Sequence, residues 1–233
     1  MEHQDIERPI NQDLDSIEGQ KLLEQGAKCL GLSLSDLQLR QFLNFLTLLK
    51  KWNRKINLTA LLSNQEIILK HFLDSLTPLS YISEDARIMD LGSGAGFPGL
   101  PIKICRPDQS VALVESSSKK TSFLKEVVRQ LNLKHVQIVQ GYLGRASLPQ
   151  LKANRFDLII TRAAGRFNEL LPGLSGYLSL GGKVMLMKGI QGLKEVRDLE
   201  DEIGQKGFRI EPPIHLTLPF LNQERILILL TKF

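Results

Sequence analysis

The chain has 233 residues, of which 42% are hydrophobic and 24% charged, and its net charge at pH 7 is +5. This composition permits a core of normal size, so no metal or disulfide is needed to stabilise the fold. A small positive charge is compatible with nucleic-acid binding but does not require it. No apolar run approaches the roughly 20 residues of a membrane span, and the polar, acidic N-terminus is not that of a signal peptide.

The cysteines and histidines give no metal-binding pattern. Cys29 and Cys105 are far apart, and neither has a second cysteine at ligand spacing. The four histidines are scattered along the chain. We therefore predict reduced thiols, no metal site and a cytoplasmic protein.

In chain order, the first 17 residues are polar and aperiodic and contain Pro9, which predicts a disordered tail. Residues 18–82 predict a helical cap. Its strongest helix has a buried face with i, i+3, i+4, i+7 spacing, formed by Phe42, Phe45, Leu46, Leu49 and Trp52. Ser35 and Asp36 offer N-cap oxygens before that helix, and a further helix is predicted over 64–76.

Residues 83–233 predict one domain in which strands and helices alternate. The predicted strands cover 87–91, 110–115, 136–140, 156–161, 183–187, about 209–216 and 225–232. The predicted helices between them cover about 98–105, 118–132, 167–179 and 190–205. The early strands are short apolar runs, as expected for parallel strands covered on both faces. The pattern predicts an α/β fold with a doubly wound, mostly parallel, seven-stranded sheet that forms one structural unit with the cap.

The last two predicted strands are joined by a short connection that contains Pro219. A parallel pair would need a crossover of about a dozen residues. The short connection therefore predicts an antiparallel hairpin at one edge of the sheet.

A glycine-rich segment follows the first predicted strand and opens a helix. Asp90 precedes Gly92, Gly94 and Gly96. Glycines at such a turn let the backbone approach a ligand, and the helix N-terminus adds free N–H groups. Glu115 ends the next strand, where a carboxylate can accept both hydroxyls of a ribose. The segment predicts a nucleoside-containing ligand, although a tight turn beside a solvated acid would give the same pattern.

The spacing around the glycines discriminates among ligands. A P-loop would need lysine after Gly99, where Leu100 stands, and a nucleophile elbow would need glycine in place of Leu91. A dinucleotide fold prefers G-x-G-x-x-G, whereas this chain has G-x-G-x-G after Asp90. An acid there disfavours phosphate and tolerates a cation. S-adenosylmethionine has a sulfonium, an ammonium and no phosphate, so it is favoured over a dinucleotide.

Several segments resemble a known family. They are WNRKINLTA (52–60), HFLDSL (71–76), MDLGSGAGFPGLPIKI (89–104), LVESSSKKTSFLKEV (113–127), TRAAG (161–165) and LMKG (186–189). Together they resemble the small-subunit (16S) ribosomal RNA guanine-N7 methyltransferase G family, also called glucose-inhibited division protein B. The resemblance covers about residues 45 to 190. It implies a class-I, Rossmann-like methyltransferase that takes S-adenosylmethionine as cofactor and 16S rRNA or the small ribosomal subunit as partner. The oligomeric state is left open by the sequence, with a monomer as the default expectation.

The resemblance also implies a donor site. Its residues are Asp90, Gly92, Gly94, Gly96, Phe97, Glu115, Ser116, Ser117, Leu143, Gly144 and Arg162. Gly92 and Phe97 are expected to line the donor, Glu115 with its serines to hold the ribose, and Leu143 with Gly144 to border the adenine. The family pattern G/S-R-x-E after the third strand is not kept, because Tyr142 replaces the arginine and Gly144 the acid. The adenine amine would then be read by backbone or water.

The chemistry expected of the site is simple. Guanine N7 has a free lone pair and no proton, so its methylation needs placement and no general base. An exocyclic amine methyltransferase would have [DN]PP[YF] where this chain has TRAAG, and neither cysteine lies near that turn for attack on a pyrimidine.

Basic residues mark the expected substrate side. Arg162 and Lys188, after the fourth and fifth strands, are the candidate catalytic residues and would hold phosphate or guanine O6. The candidate RNA-binding residues are Lys50, Lys51, Arg54, Lys55, Lys119, Lys120 and Arg166. A solvated basic surface is an equally good interpretation of these lysines. Trp52 is expected in the core, and His71 and Asp74 are expected to make a structural hydrogen bond.

Two other functions remain open from the sequence. A small-molecule methyltransferase would have a closed apolar pocket in place of a basic mouth. A non-catalytic RNA- or ribosome-binding module would keep the fold without needing to bind the methyl donor.

Overall fold

The computed structural model describes residues 8–142, 148–151, 155–162 and 173–233. Its N-terminal part is helical, with α1 over Arg8–Cys29 and α2 over Asp36–Asn53. A disordered tail to residue 17 was predicted, and this is wrong from Arg8 onward. Pro9 lies in the first turn of α1, where its missing N–H is not needed for a helical hydrogen bond.

Helix α2 forms as its sequence predicts. The Ser35 hydroxyl accepts a hydrogen bond from the backbone of Gln38, and the Gln38 side chain accepts one from the backbone of Ser35, which completes a capping box. The buried face consists of Leu39, Phe42, Phe45, Leu46 and Leu49. Trp52 is partly buried against Phe123, at 5.7 Å between ring centroids.

The third helical segment runs from residue 64 to residue 76, the span that the sequence predicts. It has α-helix over Asn64–Ile67 (α3), π-helix over Ile68–Leu73 and α-helix again over Asp74–Leu76 (α4). π-Helical turns are rare and often occur at functional sites. This one contains His71.

The sheet is continuous through the rest of the described chain. Its strands are β1 (Ile88–Leu91), β2 (Val111–Glu115), β3 (Val136–Gln140), β4 (Phe156–Thr161), β5 (Leu178–Lys188), β6 (Phe208–Ile210), β7 (Ile214–Thr217) and β8 (Glu224–Lys232). The helices that accompany it are α5 (Gly99–Cys105), α6 (Ser118–Gln130), α7 (Ile190–Arg197) and α8 (Glu200–Gln205). The strand order is β3-β2-β1-β4-β5-β8-β6, with β7 also paired to β8. Strands β1 to β5 are parallel, and β8 is antiparallel to β5.

The predicted sixth strand is divided in two. Strand β6 pairs with residues 230–232 of β8, and β7 pairs with residues 224–227. Because β5 pairs with one side of β8, β6 and β7 lie end to end along its other side. The eight strands therefore fill seven positions across the sheet. Pro212 and Pro213 separate β6 from β7, since proline has no N–H for the ladder. The antiparallel hairpin at one edge of the sheet is confirmed as β7–β8.

Two predicted helices differ from the structure. The predicted helix 190–205 is two helices, α7 and α8. Most of the predicted helix 167–179 lies outside the described residues, and its last part is wrong, because Ser175–Tyr177 is a 3-10 turn and β5 begins at Leu178. No helix in the described chain has the length and apolar character to cross a membrane.

The hydrophobic core has a layer on each face of the sheet. One layer joins the N-terminal helices to α5, α6 and the sheet, and it contains Leu23, Phe42, Phe72, Phe123 and Leu227. The other layer packs α7 and α8 against the sheet. The helical cap and the sheet therefore share one core.

Phe45 is the centre of an aromatic cluster in the first layer. Its ring lies 5.3 Å from Phe72, 5.3 Å from Phe97 and 6.3 Å from Phe123, measured between centroids. Phe97 belongs to the glycine-rich segment. The core packing of α2 thus fixes the segment that the sequence predicts to bind the ligand.

Truncation of this ring tests the shared core. We expect Phe45→Ala to lower the free energy of unfolding by about 3–5 kcal/mol, because it leaves a cavity among packed rings. Urea unfolding followed by circular dichroism gives the value. Leu37→Ala is the matched control, because Leu37 lies on the same helix with 59% of its surface exposed. Equal losses in the two variants would contradict the packing described.

Candidate active site

The segment between β1 and α5 is shaped by glycines with positive φ. The φ values are 74° at Gly92, 56° at Gly94 and 94° at Gly96, a region that other L-residues rarely adopt. A Cβ placed on Gly92 would find no atom within 4 Å among the described residues. The segment therefore borders open space, and its backbone is accessible to a ligand.

Asp90 stabilises this segment from the buried side. Its side chain is fully buried, and Oδ2 accepts a hydrogen bond of 2.9 Å from the Gly99 N–H at the start of α5. Oδ1 is buried without a hydrogen-bond partner among the described residues. Burial raises the pKa of Asp90 from 3.8 to about 7. A buried carboxylate oxygen without a donor suits a ligand that carries N–H groups or positive charge.

Glu115, at the end of β2, connects the glycine segment to α6. Its Oε2 accepts a hydrogen bond of 2.9 Å from Gly94 N–H, and its Oε1 accepts one of 2.8 Å from Ser117 N–H. Each carboxylate oxygen has two lone pairs, so Oε2 can accept one further bond, and Oε1 can accept one in place of the Ser116 hydroxyl. Ser116 is exposed and donates to Oε1 at 3.3 Å. The Ser117 hydroxyl caps α6 by accepting from Lys120 N–H at 3.4 Å.

These residues fit the methyl donor predicted from the sequence. The glycine segment leaves room for its backbone, Asp90 has an unsatisfied acceptor, and Glu115 can accept ribose hydroxyls. Phe97, expected to line the donor, lies mostly inside the core and stacks on His71 with 4.5 Å between centroids. The expected adenine neighbours Leu143 and Gly144 lie outside the described residues.

Arg162 follows β4 and makes the densest set of polar contacts near the site. One terminal nitrogen, Nη2, lies 2.7 Å from Nδ1 of His71. The other, Nη1, lies 3.3 Å from the carbonyl oxygen of Lys70 and 3.4 Å from Oδ2 of Asp74. The guanidinium carbon is 5.6 Å from the centre of the Phe97 ring. Arg162 is therefore held beside Phe97 of the glycine-rich segment, with 20% of its side chain exposed.

Asp74 is the anion that compensates this charge. Its carboxylate is 1% exposed, and it also receives hydrogen bonds from Arg225 on β8, of 2.6 Å from Nε to Oδ1 and 3.0 Å from Nη2 to Oδ2. The expected hydrogen bond between His71 and Asp74 is absent from the described contacts. Each of the two side chains contacts Arg162 instead.

Lys188 ends β5, the neighbour of β4 in the sheet. Its Nζ lies 3.4 Å from Oε2 of Glu195, and 18% of its side chain is exposed. It borders a cavity of about 590 Å³ whose other wall includes Asn222 and Gln223 from the β7–β8 connection. Because β4 and β5 are parallel, Arg162 and Lys188 lie at the same edge of the sheet.

The predicted RNA-binding residues lie on two helices that touch each other. Lys51, Arg54 and Lys55 are exposed at the end of α2, whereas Lys50 donates a hydrogen bond of 2.7 Å to Oδ1 of Asn64. Lys119 is exposed and Lys120 partly buried in the first turn of α6. Helices α2 and α6 are in contact, and these cations are together called the basic region below. Arg166 lies outside the described residues.

Sequence reasoning gave no role in the site to five residues that connect to Arg162 directly or through a neighbour. His71 and Asp74 lie in HFLDSL, and Asn53 and Thr59 lie in WNRKINLTA. The family resemblance therefore pointed to both segments but gave none of these four residues a role in the site. Arg225 had no signal, because it lies in an ordinary strand 151 positions from its partner.

Solved structures share this fold. A methyltransferase from Pyrococcus furiosus superimposes with a TM-score of 0.53 and 15% identity, covering 66% of this chain and 79% of that one. TYW2 of M. jannaschii, solved in complex with AdoMet, gives a TM-score of 0.53 and 13% identity, covering 70% of this chain and 75% of that one. The fold is that of the class-I S-adenosylmethionine-dependent methyltransferases.

Sequence comparison identifies the family within this class. The profile of the GidB family, rRNA small subunit methyltransferase G, matches residues 38–223. Ribosomal RNA small subunit methyltransferase G of Syntrophotalea carbinolica is 38% identical over 218 residues, which is 91% of this chain and 98% of that protein. The protein of the same name from Acetivibrio thermocellus is 36% identical over 214 residues, 91% and 88% of the two chains. The chain belongs to the rRNA small subunit methyltransferase G family, as its motifs predicted.

The buried Asp90 carboxyl gives a prediction for stability. The folded protein keeps a proton on Asp90 up to a pKa of about 7, whereas the unfolded chain releases it near 3.8, so its contribution to stability is lost as pH rises between these values. Asp90→Asn carries no such proton. The stability of the variant relative to the native chain should rise across this window, by up to about 1.4 kcal/mol per pH unit. Urea unfolding at about pH 5 and about pH 7 measures it.

Asp108→Asn, at an exposed position, is the control for the loss of a carboxylate. A difference between Asp90→Asn and the native chain that stays constant with pH would contradict a protonated Asp90.

Proposed function

We propose that this protein transfers the methyl group of S-adenosylmethionine to N7 of a guanosine in 16S rRNA. The observation that carries the proposal is membership of the rRNA small subunit methyltransferase G family, with the glycine segment, Asp90 and Glu115 all in place. The donor, when bound, supplies a methyl group activated by its sulfonium. Glu115 would accept the ribose hydroxyls, and Gly92 would line the donor.

The residues around the target suit a ring nitrogen. Burial, and then the charge of Arg162, lower the pKa of His71 to about 4, so its ring is neutral at neutral pH. N7 has no proton to remove, and the reaction needs the base held in line with the methyl group. The Arg162 guanidinium donates to guanine O6, which leaves the N7 lone pair free. Lys188 holds the phosphate or the other edge of the base from the neighbouring strand.

The basic region of α2 and α6 supports an RNA substrate. Lys51, Arg54, Lys55 and Lys119 are exposed cations at the end of α2 and the start of α6, two helices in contact, and such cations suit the sugar–phosphate backbone of rRNA or of the small ribosomal subunit. A small-molecule methyltransferase has no use for such a region. The protein acts as a monomer in the cytoplasm, where ribosomal subunits are assembled.

Methyl transfer to rRNA that lacks the modification tests the function. With labelled donor, nucleoside digestion and mass spectrometry, we expect 7-methylguanosine. Arg162→Ala should reduce turnover about 100-fold or more, because it removes a preorganised donor at the reacting base. The fold should survive, since Asp74 keeps its pairing with Arg225.

Arg209→Ala is the matched control, because Arg209 is exposed on edge strand β6. Normal turnover in Arg162→Ala would remove this arginine from the site. Donor binding without any RNA product would favour a small-molecule substrate, and absence of donor binding would favour a non-catalytic module.

The salt dependence of RNA binding tests the basic region. Changing Lys50, Lys51, Arg54 and Lys55 together to serine should weaken binding and reduce the slope of log Kd against log salt by about 1–3, because fewer counterions are released. Fluorescence anisotropy with labelled rRNA fragments at several salt concentrations gives the slope.

The control for the basic region carries serine at Lys194, Arg197 and Lys206, which are exposed on α7 and at the end of α8, against the other face of the sheet. It should keep the native slope. An equal reduction in both variants would place the RNA elsewhere.

A further inference from the structure

We propose that His71 is a positioning residue for methyl transfer. Thr59 and Asn53 fix the orientation of its ring, and the ring in turn orients the Arg162 guanidinium toward the target base. The inference rests on the proposed function and deepens it. It gives a role to two segments, WNRKINLTA and HFLDSL, that the donor site does not use.

The direction of each hydrogen bond follows from the donors available. A guanidinium has only N–H donors, so Nδ1 of His71 must accept from Arg162 at 2.7 Å. The neutral ring then carries its proton on Nε2. That N–H donates to the Thr59 hydroxyl oxygen, which lies 2.7 Å away. The Arg162 contact therefore sets this tautomer, and the Thr59 hydroxyl can accept from the Nε2–H that it leaves.

Asn53 holds Thr59 in place through three backbone contacts. Its Nδ2 donates to the Thr59 carbonyl oxygen at 2.9 Å, and its Oδ1 accepts from Leu58 N–H and Thr59 N–H at 2.9 and 3.0 Å. The Thr59 hydroxyl also accepts from Leu61 N–H at 3.1 Å. Hydrogen bonds therefore hold both the backbone and the side chain of Thr59.

The ring of His71 connects Thr59 to the glycine-rich segment. It stacks on Phe97 with 18° between the planes, and the Arg162 guanidinium lies near the same Phe97 ring. The Asp74 carboxylate attracts Arg162 without fixing its rotation, because only Nη1 of Arg162 contacts it, at 3.4 Å. The acceptor on His71 supplies the second point that sets the plane of the guanidinium.

Variants of Thr59 separate positioning from packing. Thr59→Val keeps the shape and removes the acceptor for Nε2–H, whereas Thr59→Ser keeps the hydroxyl. We expect kcat with rRNA to fall about 3- to 10-fold in Thr59→Val, the effect of losing one buried hydrogen bond. KM for the donor should not change, and Thr59→Ser should turn over at close to the native rate. Equal kcat values in Thr59→Val and Thr59→Ser would overturn the proposal.

A second pair of variants decides the case in which Thr59→Val does not fold. The Asn side-chain oxygen can stand where Nδ1 of histidine stands, and the longer Gln places its end group near Nε2. His71→Asn should therefore keep an acceptor for Arg162 and retain more kcat than His71→Gln. A higher kcat in His71→Gln, or a kcat ranking that follows thermal stability alone, would contradict positioning.

The tautomer can be measured without any turnover. Long-range ¹H–¹⁵N NMR of the full chain should show His71 protonated on Nε2 at neutral pH, and the Nε2–H signal should shift in Thr59→Val, where its acceptor is lost. A ring protonated on Nδ1 would overturn the proposal even if the enzyme methylates rRNA. If the native protein shows the expected tautomer but forms no 7-methylguanosine, the proposed function is contradicted. The hydrogen bonds of His71 described here would then still stand.

Discussion

The buried carboxylate of Asp74 connects parts of the chain that are far apart in sequence. It lies between the guanidinium groups of Arg162 and Arg225, at 3.4 and 2.6 Å, and is 1% exposed. A buried carboxylate without partners would be strongly destabilising, and two buried guanidiniums without an anion would repel each other. The helical segment, β4 and β8 must therefore all come together before all three charges are paired. The position of Arg162 at the site depends on this arrangement.

The neighbouring His71 is neutral for a related reason. A protonated imidazole would add a further positive charge beside Arg162, in a place where burial already disfavours it. With the ring neutral, Nδ1 can serve as an acceptor. The same surroundings thus keep one side chain charged and its neighbour uncharged, and both contact the phenyl ring of Phe97. The glycine-rich segment therefore packs against the helical cap through Phe97.

The features that the sequence predicts correctly are local ones. The positions of β1 to β4, α2, α5 and α6 follow from apolar runs and caps, and the glycine segment follows from the conformations that only glycine adopts easily. The contacts of Arg162 could not be predicted, because they join residues 88 to 92 positions apart and depend on the packing of a helix against a strand end. The break between β6 and β7 was visible as Pro212 and Pro213. The register of both pieces on β8 was not visible, since it depends on the partner strand.

The place of β8 within the sheet has a consequence for synthesis. Residues 226–230 of this strand are buried, and the strand lies between β5 on one side and β6 and β7 on the other. Every other strand has already been translated when β8 emerges, so until then an edge of β5 and a share of the core remain open to water. Arg225 arrives with β8. A partly translated chain therefore holds Asp74 with only one of its two arginines, and the charges around Asp74 are fully paired only when the sheet is complete.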